Sequence, residues 1–229
     1  MAAARSSSAP RVVLLAGATG LIGRALLPLL LASDRYAAVH VLLRRARPDL
    51  PARPKLTPHV VDFAHLPEAF PAVDDVFIAL GTTINAAGYE AAFRQVDFDF
   101  VVNTARAARA AGATRLAVVS ALGADVESRV FYNRVKGEMQ TAVAALGYES
   151  VVLAQPSLLM GDRAALGQPT RAGEVWASRL LAPVMGLIPK SVRPIEAGTV
   201  AKAMLTANLS GNAGVHILGS GSMQASAAR

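Results

Sequence analysis

Seven residues constrain this chain more than any others. Gly17-Ala18-Thr19-Gly20-Leu21-Ile22-Gly23 stand between the unbroken apolar run Val12–Ala16 and a helical pattern reaching Ala32. An apolar run of that length marks a strand buried on both faces of a parallel sheet. Glycine at three-residue intervals after such a strand allows a tight turn, close backbone approach to a pyrophosphate, and close packing of the following helix. The free N–H groups and positive dipole end of that helix then receive the phosphates. A phosphate-binding P-loop is excluded, because Gly23 is followed by Arg24 and Ala25, not by Lys and Ser or Thr.

The same alternation continues along the chain. Strands are predicted at Val39–Leu43, His59–Val61, Val76–Leu80, Leu116–Ser120 and Val151–Ala154. Helices are predicted over roughly Tyr89–Ala111, Val130–Leu146 and Ala197–Asn208. Strand–helix alternation implies an α/β, Rossmann-like, doubly wound parallel sheet with helices on both faces. The domain is expected over residues 11–218, after a flexible start at 1–10. A small C-terminal substrate cap is expected at about 157–195 and a loosely ordered tail at 219–229. Arg44 to Pro58 holds four prolines and five basic residues and is expected to be an exposed loop.

Composition narrows the chemistry. There is no cysteine, which removes thiolate metal sites, a cysteine nucleophile and disulfides. His40, His59, His65 and His216 lack metal-ligand spacing, so no metal site is expected. Asp74-Asp75 is read as a turn pair before a strand, not as a carboxylate dyad. The net charge is +7, nearly all of it from arginine. Those arginines are scattered and aromatics make up only 5%, so nucleic acid is not the expected partner. The apolar stretch Val12–Ala32 is broken by glycines, Arg24 and Pro28, so no transmembrane segment is expected. The expected location is cytoplasmic.

Two further motifs bear on cofactor and reaction. After the second strand, an acidic residue would accept the ribose hydroxyl of NAD, whereas arginine receives the extra phosphate of NADP. This chain has Arg44 and Arg45 there and no acid before Asp49. Guanidinium groups suit a phosphate dianion, so NADP(H) is preferred, with NAD(H) second. Tyr132-Asn133-Arg134-Val135-Lys136 places a phenol and an ammonium four residues apart on one helix face. A phenol of pKa ~10 needs its anion stabilised to work at neutral pH, and a nearby ammonium does that. Ser120, at a strand end, can hydrogen-bond a substrate carbonyl.

Together these motifs resemble the short-chain dehydrogenase/reductase superfamily. The closest branch is the atypical one containing the Tat-interacting oxidoreductase-like proteins and their bacterial relatives. The resemblance runs from about Val12 to Leu205 through GATGLIG (17–23), LLRR (42–45), VVDF (60–63), ALGTT (79–83), VD (96–97), VVSALGAD (118–125), YNRVKGE (132–138) and PSLLMGDR (156–163). It implies that Gly17, Ala18, Thr19, Gly20, Leu21, Ile22 and Gly23 bind the dinucleotide, and that Asp62 touches the adenine. It also implies that Gly81, Thr82 and Thr83 pass the ribose and nicotinamide side. Phe63, Leu80 and Pro156 join the cofactor site. Ser120, Tyr132 and Lys136 form the catalytic set, Lys136 also holding the ribose. Gln155 departs from the pattern, since relatives often place Arg before this proline.

The function expected is therefore hydride transfer between NADP(H) and a small carbonyl or alcohol substrate. The alternative is an NADPH-binding sensor or interaction module without turnover. Only 73 residues follow Pro156, too few for the larger C-terminal domain of a nucleotide-sugar epimerase. A protein partner or a homodimer remains open.

Overall fold

The computed structural model describes residues 10–50, 52–67, 70–160, 189 and 191–227. Its main element is a seven-stranded sheet built from β1 (Arg11–Ala16), β2 (Tyr36–Leu43), β3 (Leu56–Val60), β4 (Asp75–Ile78), β5 (Arg115–Val119), β6 (Ser150–Gln155) and β9 (Gly214–Gly219). The spatial order is β3-β2-β1-β4-β5-β6-β9, and every neighbouring pair is parallel. The chain thus starts in the middle, winds to one edge, and crosses back over β1 to build the other half. Ligands of such sheets bind beyond the carboxyl ends of the strands, at this switch point. Here that is the crevice between β1 and β4. A separate parallel pair joins β7 (Leu159–Met160) to β8 (Ile195–Glu196).

Two apolar layers hold the sheet. On one face α1 (Leu21–Ala32), α6 (Ala197–Ser210) and α7 (Ser220–Ser226) bury Ile22, Leu26, Leu30, Val200, Met204 and Met223 against Val13, Leu15, Val39 and Val41. On the other, α4 (Phe100–Ala110) and α5 (Phe131–Ala144) bury Val101, Ala105, Met139 and Val143 against Leu14, Val76, Ile78, Leu116 and Val118. Alternate strand residues point to opposite faces. Both sets are buried, which is why the strands read as continuous apolar runs.

Several expectations change. β3 begins at Leu56 and so takes Pro58 into the sheet. Proline is tolerated there because β3 is an edge strand with one side unpaired. Sequence reading missed β9, whose glycine-flanked GVHILG lacks a long apolar run. The loosely ordered tail is corrected: Ser220–Ser226 is helical, with Ser220 and Met223 buried. Asp75 is more than a turn residue. It is fully buried, takes two bonds from Arg11 (Nε at 3.1 Å, Nη2 at 2.7 Å), and accepts the Tyr36 hydroxyl at 2.9 Å. His40 and His59, 19 residues apart, meet on β2 and β3 with Nδ1 and Nε2 2.8 Å apart. Among the described residues, no group of three or more His, Cys, Asp or Glu is arranged to hold a metal, and no helix is long and apolar enough to cross a membrane. Residues 1–9 of the expected start and most of the cap segment (161–188 and 190) lie outside the described residues.

Candidate cofactor and active site

The glycine loop joins β1 to α1 beside the end of β4. Gly17 has φ +89°, and a Cβ there would sit 2.4 Å from the Ala79 carbonyl oxygen. A Cβ on Gly23 would lie 2.0 Å from the Gly17 carbonyl oxygen. At Gly17 and Gly23 the backbone is therefore pressed against the β4 end and the loop itself, with no space for a side chain. The Gly20 N–H closes the turn onto the Gly17 carbonyl at 3.1 Å. Gly20 caps α1 in extended conformation with no side-chain cap, and no acidic residue occupies the first turn. The N–H groups of that turn are open to an anion. The cradle fits a pyrophosphate. Ala18 and Ile22 are buried beneath it, whereas Thr19 and Leu21 are half-buried.

Arg44 and Arg45 follow β2, the neighbour of β1, and both are exposed. Asp62 is exposed after β3. Its Oδ1 accepts the Ala64 N–H at 2.9 Å, and its Oδ2 lies 3.1 Å from His65 Nδ1. Those bonds hold its pKa below the ordinary carboxylate value, the Ala64 N–H contributing most. Phe63 points elsewhere: it is buried and stacked on Phe100 with ring centroids 5.9 Å apart. Its side chain therefore belongs to the core.

The strand ends carry the remaining candidate residues. β4 stops at Ile78 and β5 at Val119, earlier than predicted, so Leu80 to Thr83 and Ser120 lie just beyond carboxyl ends. Leu80 packs onto the core. Thr83 caps α2 (Ile84–Ala87), its Oγ1 accepting the Ala86 N–H. Gly81 and Thr82 meet a residue that sequence reading quoted but gave no role. Asp97 is 1% exposed; its Oδ2 accepts the Thr82 N–H at 2.8 Å, and its Oδ1 lies 2.7 Å from Lys136 Nζ. Lys136 is itself 3% exposed. A Cβ on Gly81 would approach Asp97 Oδ1 to 3.3 Å and Lys136 Nζ to 3.9 Å.

Asp97 reaches this point because of local geometry. α3 (Glu90–Arg94) runs into a π-helical turn at Gln95–Asp99 before α4. A π turn inserts a residue into the helix, and such turns are frequent at functional sites. It aims Asp97 inward between two chain segments.

On α5, Tyr132, Lys136 and Gln140 recur every four residues and share one face. The Tyr132 ring packs on Phe93, centroids 5.3 Å apart. The Gln140 Nε2 donates to Ser120 Oγ at 2.6 Å, and Gln155 Nε2 donates to Gln140 Oε1 at 3.3 Å. Pro156 is buried, and its carbonyl accepts the Leu122 N–H. The structure therefore groups Gly81, Thr82, Asp97 and Lys136, and separately Ser120, Gln140 and Gln155. Sequence reading missed Asp97 and Gln140, although their spacing from recognised motifs was visible.

Comparison with known proteins gives the family and the fold. Residues 17–158 match a family described as NAD(P)H-binding. Protein HTATIP2 of Rattus norvegicus is 34% identical over 200 residues, covering 84% of this chain and 79% of that protein. This meets the resemblance drawn from the motifs. A protein of Aspergillus niger named fmp52, mitochondrial, is 32% identical over 213 residues, covering 90% and 88%. Among solved structures, MoeE5 in complex with UDP-glucose and NAD aligns with a TM-score of 0.65 at 18% identity, over 90% of this chain and 75% of that one. A Burkholderia thailandensis oxidoreductase of the short-chain dehydrogenase/reductase family aligns with a TM-score of 0.63 at 19% identity, over 95% and 94%. These two likenesses show the fold. The cytoplasmic expectation is corrected: fungal relatives from Eremothecium gossypii, Emericella nidulans and two Aspergillus species are named mitochondrial.

Proposed function

For a chain that belongs to the NAD(P)H-binding family and is related to HTATIP2, we propose an NADP(H)-dependent oxidoreductase acting on a small carbonyl or alcohol. The observation that carries this reading is the α5 face on which Tyr132 and Lys136 share a stripe with Gln140, the residue bonded to Ser120. The glycine cradle would hold the pyrophosphate, and Arg44 and Arg45 would receive the extra phosphate. When bound, the nicotinamide supplies or accepts the hydride. The Ser120 hydroxyl orients the substrate oxygen, and Tyr132 passes the proton to it. Lys136 has N–H donors beyond the one facing Asp97, and these would hold the ribose and support the phenol.

A second reading has one observation in its favour. The buried Asp97 carboxylate neutralises the Lys136 ammonium, which weakens the electrostatic help available to a Tyr132 phenolate. In that reading the protein binds NADPH as a sensor or interaction module and turns over nothing.

One experiment separates the two. NADPH oxidation is followed with a panel of small aldehydes, ketones and quinones, for wild type and Tyr132→Phe. The enzyme reading expects NADPH affinity to change little and turnover to fall ~10²–10⁴-fold, the range for a lost general acid. A wild type that binds NADPH and reduces nothing in the panel would transfer the assignment to the sensor.

A further inference from the structure

Ser120 is held in a way that the three-residue catalytic set does not explain. The residue is 4% exposed, and its hydroxyl accepts the Gln140 Nε2–H at 2.6 Å. The Gln140 carbonyl oxygen is in turn held by the Gln155 amide at 3.3 Å. Gln140 is also buried, so its amide cannot exchange these partners for bulk water. The backbone fixes both ends of this chain. The Ser120 N–H donates to the Ala154 carbonyl at 2.7 Å, which locks Ser120 beside the end of β6, where Gln155 sits.

A serine hydroxyl has one proton and two lone pairs. A donor pressed against one lone pair leaves the proton to turn away from Gln140. Among the described residues the Ser120 hydroxyl donates to no protein acceptor. We propose that Gln140 and Gln155 are positioning residues: an uncharged amide relay that fixes the Ser120 hydroxyl as a hydrogen-bond donor toward the substrate oxygen. This rests on the oxidoreductase reading above. Carboxamides do not titrate, so the relay carries no net charge anywhere in the assay range. A carboxylate at position 140 would keep the bond from Gln155 but accept the Ser120 O–H, reversing that one link and turning the hydroxyl away from the substrate.

The test is Gln140→Glu, a change of nearly identical shape, with Gln140→Leu and Gln155→Leu beside it. Each is assayed as full-length protein with NADPH and the best carbonyl from the panel, between pH 5 and 8.5. Folding is checked by circular dichroism and NADPH affinity by calorimetry. Gln140→Glu is expected to lose about 10²-fold in kcat at pH 8, the scale of one lost oxyanion donor, with NADPH affinity unchanged. Its kcat recovers as pH falls and the carboxyl protonates, because a neutral acid again donates to Ser120. Gln140→Leu is expected to lose kcat at every pH without that recovery, and Gln155→Leu to lose several-fold. Wild-type kcat and pH profile in Gln140→Glu would overturn the relay while leaving the oxidoreductase reading in place. If Gln140→Glu does not fold, undiminished kcat in both leucine variants overturns it equally. A wild type inactive toward every carbonyl overturns both.

Discussion

The buried pair at the centre of the site makes a quantitative prediction that needs no substrate. Asp97 and Lys136 are 1% and 3% exposed, 2.7 Å apart, and Asp97 also accepts the Thr82 N–H. Replacing Asp97 by Leu strands a buried ammonium, which costs about 3–5 kcal/mol. It also leaves the Thr82 N–H without its acceptor, another ~1–3 kcal/mol. Against a typical domain stability of about 5–15 kcal/mol, that is a large share. Lys136→Met leaves the opposite charge unpaired and costs a similar ~3–5 kcal/mol. In Asp97→Leu/Lys136→Met neither charge remains, so the double variant is expected to be more stable than either single one. The cycle should give a coupling of about 3 kcal/mol or more, at the top of the range for residues in contact. Asp97→Asn keeps an oxygen for Thr82 and should be milder than Asp97→Leu. Urea unfolding followed by circular dichroism, without cofactor, measures all four. Additivity of the single variants within about 0.5 kcal/mol, the behaviour of independent sites, would refute the claim that this pair holds the Gly81–Thr82 segment onto α5.

Three further outcomes are expected. Gly17→Ala should lower the urea midpoint and abolish NADPH binding together, since a residue forced to positive φ costs about 1–3 kcal/mol and its Cβ meets the Ala79 backbone at 2.4 Å; a stable variant with normal binding in calorimetry would refute the cradle. Arg44→Ala/Arg45→Ala should weaken NADPH by about 1.5–3 kcal/mol, the scale of a hydrogen bond to a charged group, and leave NADH nearly unchanged; equal wild-type affinities for both cofactors would remove the phosphate role. Burial lowers the pKa of His40 and His59 below 6.5, and their mutual repulsion lowers His40 further. The unfolded chain therefore takes up protons that the folded pair refuses, so stability falls as pH drops below about 6.5; His59→Gln should flatten that slope in urea midpoints between pH 7.5 and 5, and an unchanged slope counts against the pair.

How much of this was legible in sequence depends on the range of the interaction. The glycine loop was, because its motif is local: strand, turn and helix follow one another within 22 residues, and Gly23 answers to the Gly17 backbone six residues away, although Gly17 also meets Ala79 beyond β4. The parallel sheet was equally legible, because strands buried on both faces leave no polar alternation. β9 and α7 were not, since GVHILG has two exposed aliphatics, Val215 and Ile217, and a glycine at each end. Its place in the sheet comes from pairing with β6, which no local pattern announces.

The polar residues show the same division more sharply. Tyr132 and Lys136 were found because a helix makes a spacing of four meaningful, and the same rule reaches Gln140 one step further on. It was passed over because an amide has no titration to draw attention to it. Asp97 was hidden for a different reason. In an unbroken α-helix its direction would follow from the 3.6-residue period, but the π turn at Gln95–Asp99 shifts that period within the motif. Its partners are 15 and 39 residues away, at Thr82 and Lys136. A carboxylate with 1% exposure needs such partners, because an unpaired buried charge is too costly to keep. The sequence around Asp97 therefore looks like an ordinary amphipathic helix, and only the fold shows that its charge meets Thr82 and Lys136. The same carboxylate decides the chemistry expected of Lys136. An ammonium that already faces one anion can orient a ribose and a phenol, but its net field on the phenol is smaller than that of a lone cation. In the proposed enzyme, turnover would then lean on the Ser120 donor as much as on Tyr132, which would make the uncharged pair Gln140 and Gln155 as consequential as the residues the motif names.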